Sequence, residues 1–164
     1  MKVLVLGLGN PLLGDDGVGW RVVEQVMARN TNPDVEMDFH SGGGLSLMER
    51  LIGYDRAIIV DALNTARQPQ GTVSSSRLED LPTCAQSHLA SAHETTLQTA
   101  LQVGRTIGAT LPQPGDIRIV AIEAQNVYDF SEDLSLAVAN AVPKAVEQVI
   151  SQLINWSTSF PITN

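Results

Sequence analysis

Two adjacent carboxylates, Asp15 and Asp16, follow a glycine-rich turn in the run Lys2-Val3-Leu4-Val5-Leu6-Gly7-Leu8-Gly9-Asn10-Pro11-Leu12-Leu13-Gly14-Asp15-Asp16-Gly17-Val18-Gly19. An apolar strand that enters a turn and then a helix puts this pair just beyond a strand's carboxyl end, where ligands gather in open α/β sheets. A helix start needs one capping carboxylate, and Asp15 can serve as well as Asp16. The pair exceeds that need, so Asp16 is a candidate for chemistry. Asp61 closes a second apolar strand, Ala57-Ile58-Ile59-Val60. A carboxylate so placed is partly desolvated, which is costly without a partner or a cation; its plainer reading is a turn residue ahead of Ala62-Leu63-Asn64. His93 lies in Ser91-Ala92-His93-Glu94, which fits a capping box, so it is expected in the first turn of a helix. The positive end of the helix dipole there disfavours protonation and keeps the imidazole fit to bind a cation. His88 and His40 compete with it, and periodicity does not choose among the three. Two carboxylates and one imidazole make an oxygen/nitrogen set for a first-row metal with positions left open. The carboxylates alone can activate a water as general bases.

Other chemistries fit less well. The dinucleotide fingerprint needs a third glycine where this chain has Leu12, and Pro11 beside it lacks a backbone donor. Two carboxylates at the helix start repel a pyrophosphate, although Asp38 is placed for a ribose contact. No Gly-Lys-Ser/Thr follows the turn, so a P-loop is excluded. Cys84, the single cysteine, has no evident histidine partner, and no Gly-x-Ser-x-Gly is present.

The composition frames these residues. With 164 residues, 43% of them hydrophobic and 17% charged, the chain suits one soluble domain with a sizeable core. The expected bounds are one α/β domain over 1–155 and a frayed tail over 156–164. A net charge of −8 opposes nucleic-acid binding, which wants a basic face. The first apolar run is too short for a signal-peptide core or a membrane span, so a cytoplasmic protein is expected.

The elements that must position the candidates alternate between strand and helix, which predicts a mostly parallel sheet. Strands are expected at Val3–Leu6, Val35–Phe39, Ala57–Asp61 and Ile117–Ile122, with a polar edge strand at Gly71–Ser76. Helices are expected over about Asp16–Arg29, Leu45–Ile52 and Leu134–Ile154, the last kinked or divided by Pro143. A further helical face holds Leu97, Ala100, Leu101 and Gly104, after a long connection over 77–92. The run Gly42-Gly43-Gly44 exceeds the needs of an ordinary turn and predicts a loop whose backbone approaches a substrate closely. Its plainer reading is a connection into the Leu45 helix.

The motif Gly7-x-Gly9-Asn10-Pro11-x-Leu13-x-Asp15-Asp16-Gly17-x-Gly19, the strand ending in Asp61 and the element Ser91-Ala92-His93 resemble those of the NiFe-hydrogenase maturation endopeptidases. The resemblance spans nearly the whole chain. It implies a protease that removes a C-terminal extension from the hydrogenase large-subunit precursor once nickel is inserted. The implied fold is a three-layer α/β/α sandwich around a twisted, mostly parallel sheet, of the phosphorylase/hydrolase-like kind. Position by position, it assigns the family's metal-binding and catalytic residues to Asp16, Asp61 and His93. The nickel is implied to arrive with the substrate, with no permanently bound organic cofactor, and the mechanism to be aspartic-type or metal-assisted. This chain departs from the family in two places. Several members carry a glutamate where Asp16 stands, and many carry an aspartate before the glycine-rich loop, where this chain reads Phe39-His40-Ser41. A non-catalytic nickel-sensing chaperone or docking module would use the same three residues. Peptidyl-tRNA hydrolases share the opening Gly-Leu-Gly-Asn-Pro, but they should then show a histidine-asparagine pair where this chain has Asp15-Asp16. The acidic balance also suits tRNA poorly.

Overall fold

The computed structural model describes residues 1–81 and 96–158, with side chains as far as Ser157. Its centre is a five-stranded sheet in the order β2-β1-β3-β5-β4. Strands β1 (Val3–Leu8), β2 (Val35–His40), β3 (Arg56–Leu63) and β5 (Ile117–Glu123) run parallel. Strand β4 (Val73–Arg77) pairs antiparallel with β5 at the edge, which suits its polar Ser74-Ser75-Ser76. Helices α1 (Val18–Arg29) and α4 (Leu136–Thr158) cover one face, and α2 (Gly44–Arg50) and α3 (Leu97–Thr106) the other.

Because both faces are covered, β1, β3 and β5 are near-continuous apolar runs. Alternation divides their side chains between two cores. Val3, Val5, Ile58 and Val60 meet Val18, Val22 and Val26 of α1 and Val142, Val146 and Val149 of α4. Leu4, Leu6, Leu8, Ala57 and Ile59 meet Leu47 and Met48 of α2 and Leu97 and Leu101 of α3.

Several expected boundaries move. A 3-10 turn, Gly14–Gly17, precedes α1, so Asp16 lies outside the helix proper. β3 carries on past Asp61 to Leu63. Helix α3 begins at Leu97 and is capped by Thr96, whose hydroxyl accepts from the Thr99 amide. The Ser91–Glu94 capping box is therefore not the start of this helix, and His93 is not in its first turn. Helix α4 runs through Pro143 without division and reaches Thr158. Residues 156–158, expected in a tail, are helical, and Trp156 is buried against the first core.

The topology creates a crevice. Right-handed crossovers send α1 over one face as the chain steps outward to β2, and α2 over the other as it returns to β3. The two helices diverge at the carboxyl ends of β1 and β3, the topological switch point where open α/β sheets bind ligands. Helix α1 starts in close contact with that edge. A Cβ on Gly19 would lie 2.4 Å from the Val60 carbonyl oxygen and 2.5 Å from that of Leu8. Gly19→Ala must therefore lift α1 off both strands. The expected loss is roughly 1–3 kcal/mol, or on the order of 5 °C in Tm, measured by thermal unfolding. A melting curve like that of the wild type would show that the contact is not tight.

Candidate active site

The glycine-rich turn wraps around Asp16. Its Oδ2 accepts a hydrogen bond from the Asn10 amide at 2.7 Å. Asn10 in turn receives the Leu12 amide on Oδ1 and the Leu13 amide on its carbonyl. Gly9 has φ +115°, and a Cβ there would fall 1.8 Å from the Asp16 carbonyl oxygen, so no other residue fits this geometry. The residue capping α1 is Gly17, with no side-chain cap bond. Neither aspartate is a helix cap. Asp16 is 6% exposed, its carboxylate held by backbone beside the carboxyl end of β1.

Asp15 does different work. It is fully buried; Oδ1 accepts from the Ser135 amide at 2.7 Å, and Oδ2 from the Ser135 hydroxyl and Gln70 Nε2 at 2.9 and 3.1 Å. This aspartate ties the turn to the start of α4 and to the β3–β4 connection. The paired acids thus divide: Asp15 ties the turn to distant segments, and Asp16 is bound within the turn by the Asn10 amide.

Asp61 is fully buried in β3, opposite Ala121 of β5. By alternation it shares a side with Ala57 and Ile59, facing the α2/α3 layer. The 3-10 turn bearing Asp16 packs on β3, which brings that turn and Asp61 to the same end of the sheet. His93 and His88 lie outside the described residues, as does Cys84. Among the described residues, no three His, Cys, Asp or Glu side chains form a metal-binding group.

Glu123 was not singled out from the sequence. It is 4% exposed at the end of β5, where it accepts from the Thr65 and Ala66 amides at 2.9 and 2.8 Å and from the Thr65 hydroxyl. It shapes the loop after β3 and supports the strand that carries Asp61. The signal was present: Ile117-Arg118-Ile119-Val120-Ala121-Ile122-Glu123 is another mostly apolar strand ending in an acid, as at Asp61.

The glycine run lies at the same edge, after β2. Gly43 and Gly44 are buried and Gly42 is half-buried. A Cβ on Gly42 would meet Ser46 Oγ at 2.6 Å and His40 Nε2 at 2.9 Å. Ser46 Oγ donates to the Gly43 carbonyl, so it accepts from His40, fixing the Nε2–H tautomer. Gly42 is thus explained by the packing of His40 and Ser46, whereas Gly43 has ordinary extended backbone. Burial first, then the Arg50 guanidinium, hold His40 below its usual pKa of 6.5, partly offset by Asp38. The depressed pKa means that stability is lost as pH falls from 6.5 towards the folded value, as the unfolded chain takes up the proton first. The His40 ring should titrate below 6.5 in an NMR experiment, and Arg50→Gln should move it up; titration at or above 6.5 in the wild type would contradict this placement.

The arrangement is related to known proteins. A family model described as HycI, hydrogenase maturation protease, matches residues 20–152. The hydrogenase 2 maturation protease of Escherichia coli (strain K12) is 30% identical over 154 residues, covering 93% of this chain and 91% of that protein. The hydrogenase expression/formation protein HupD of Rhizobium leguminosarum bv. viciae is 26% identical over 159 residues, covering 96% and 77%. Among solved structures, the hydrogenase maturating endopeptidase HybD from E. coli superposes with a TM-score of 0.77 at 28% identity, covering 94% of this chain and 93% of that one.

Proposed function

Since this chain belongs to the hydrogenase maturation protease family, we propose that its substrate is the NiFe-hydrogenase large-subunit precursor and that it reads the nickel carried there. The supporting observation is the placement of two buried carboxylates, Asp16 on the 3-10 turn that follows β1 and Asp61 two residues before the carboxyl end of β3, near where the α1 and α2 crossovers diverge. The family membership also removes peptidyl-tRNA hydrolysis as the alternative reading.

In this proposal Asp16 and Asp61 supply oxygen ligands and His93 a nitrogen ligand to nickel that the precursor holds. The ion is part of the substrate, and no permanently bound organic cofactor is involved. Its position relative to the site selects one peptide bond of the C-terminal extension. A water, deprotonated by a carboxylate, adds to the carbonyl carbon; the C–N bond breaks and the leaving amine takes up the proton. This places the chemistry among aspartic-type reactions with metal-guided positioning. The proposal places this protein in the cytoplasm. No described helix is long and apolar enough to cross a membrane.

Incubation of the purified protein with nickel-loaded precursor should release the C-terminal peptide, detected by mass spectrometry. Binding without release would leave a nickel-sensing docking module in place of this reading. The glycine loop has its own test. Gly43 sits at φ −130°, ψ −168°, which any residue adopts, so Gly43→Ala adds no backbone strain, and its Tm is measured alongside to separate folding from processing. If residues Gly42, Gly43 and Gly44 contact the substrate, that variant should slow processing about tenfold or more, since a small misplacement at a reacting centre is costly. Unchanged processing would make the loop a connector only.

A further inference from the structure

The loop between β5 and α4, together with the first residue of α4, displays apolar side chains in a way the fold does not require. Tyr128 is 82% exposed, Phe130 84% and Leu136 77%. The other described aromatics, Trp20, Phe39, Tyr54 and Trp156, are buried or half-buried. Among the described residues the two most exposed rings therefore stand two positions apart in one short segment.

That segment is held in place. Val127 is buried in the α1/α4 core. The Asn126 carbonyl accepts the Asp15 amide at 2.9 Å, the Ser131 carbonyl accepts the Gly14 amide at 2.7 Å, and the Ser131 amide donates to the Leu12 carbonyl at 3.0 Å. Ser131 also forms a β-bridge with Leu13, and Ser135 is bound by Asp15. The rings thus project from a segment bonded to the turn that carries Asp16, and Leu12, 42% exposed, extends the apolar surface across that turn. Rigid exposed aromatics beside a site are the side chains that dominate protein–protein contacts, because little ordering is left to be done on binding.

The same loop carries Asp129, Glu132 and Asp133, all exposed, and residues 125–136 include no Lys or Arg. The cation contributed from the neighbouring helix is Arg21, which donates to the Glu132 carbonyl and pairs with Glu24. The surface is thus apolar with an acidic margin.

We propose that residues 127–136, with Leu12, form the docking edge for the large-subunit precursor, receiving an apolar segment of it flanked by basic residues. The inference rests on the functional reading above and adds the surface that grips the substrate. Docking here sets the precursor against the turn that holds Asp16, because the loop and turn share their hydrogen bonds.

The test measures binding and cleavage separately, on nickel-loaded precursor. The double variant Tyr128→Ala/Phe130→Ala should bind the precursor roughly tenfold more weakly and raise KM by a similar factor, with kcat within about twofold. The triple variant Asp129→Asn/Glu132→Gln/Asp133→Asn should slow association at low salt and flatten its salt dependence. Ile107→Ala, another strongly exposed apolar position (76%) at the far end of α3, should change neither. Unchanged binding by both loop variants overturns the proposal, as does a loss confined to kcat. A wild-type dimer that the double variant abolishes, with precursor binding unaltered, would assign the patch to a second copy of the chain and overturn it as well. Wild-type binding without cleavage would refute the peptidase reading while the docking edge stands. Cleavage with unaltered variant binding would do the reverse.

Discussion

Asp16→Asn is expected to lower the rate of precursor cleavage by at least about 100-fold while the protein stays folded. An amide oxygen can still accept the Asn10 amide hydrogen bond now made by Oδ2 at 2.7 Å, so the turn keeps its shape. The charge is lost, and with it both general-base capacity, worth roughly 100-fold to 10,000-fold, and the anionic ligand for a divalent cation. Asp15→Asn should behave in the opposite way. All three of its partners, the Ser135 amide and hydroxyl and Gln70 Nε2, approach a fully buried carboxylate, so an amide nitrogen there confronts donors. That change should cost about 1–3 kcal/mol of stability, read as a fall in Tm, with cleavage by the folded fraction less affected than in the Asp16 variant. Near-wild-type cleavage by Asp16→Asn would reduce Asp16 to a fold element.

The wild-type protein is expected to cleave nickel-loaded precursor and to cleave the same precursor without nickel at least about 100-fold more slowly. In the proposed site Asp16, on the turn after β1, and Asp61, near the end of β3, are fewer ligands than a first-row ion takes up. With an imidazole they would make a partial set, which an ion already held by the substrate's own ligands would complete. An aspartic peptidase that needs only carboxylates and water would cut both forms alike. Comparable initial rates on the two precursors, followed by mass spectrometry, would defeat nickel reading and leave a peptidase. His93→Ala should abolish the preference for the loaded form if that side chain reaches the ion.

Much of this was legible in the chain because it rests on local rules. Unbroken apolar runs at Val3–Leu6 and Ala57–Val60 mark strands buried on both faces, and the Val18, Val22, Val26 spacing marks the helix between β1 and β2. Acids at strand ends flagged Asp16 and Asp61, and the motif as a whole carried the family resemblance. Tertiary structure decided what local rules leave open. The division of labour between Asp15 and Asp16 depends on Ser135 and Gln70, far along the chain. Glu123 acquired its role from Thr65 and Ala66 across the sheet. Pro143 should break a helix by freeing the carbonyl four residues earlier. Here Pro143 and Ala139 are both exposed, so water can serve that carbonyl, while Val138, Val142 and Val146 bury the other face. Helix α3 starts at Leu97, where the Thr96 hydroxyl caps it by accepting from the Thr99 amide, while Leu97, Ala100 and Leu101 meet the sheet. Sequence alone determined the strands, the principal helices and the acids at strand ends, since periodicity and strand-end chemistry are written within a few residues. Which acid is tied to Ser135 and Gln70, which one to the Asn10 amide, and which loop packs on their turn, was settled by contacts between distant segments, which no local pattern encodes.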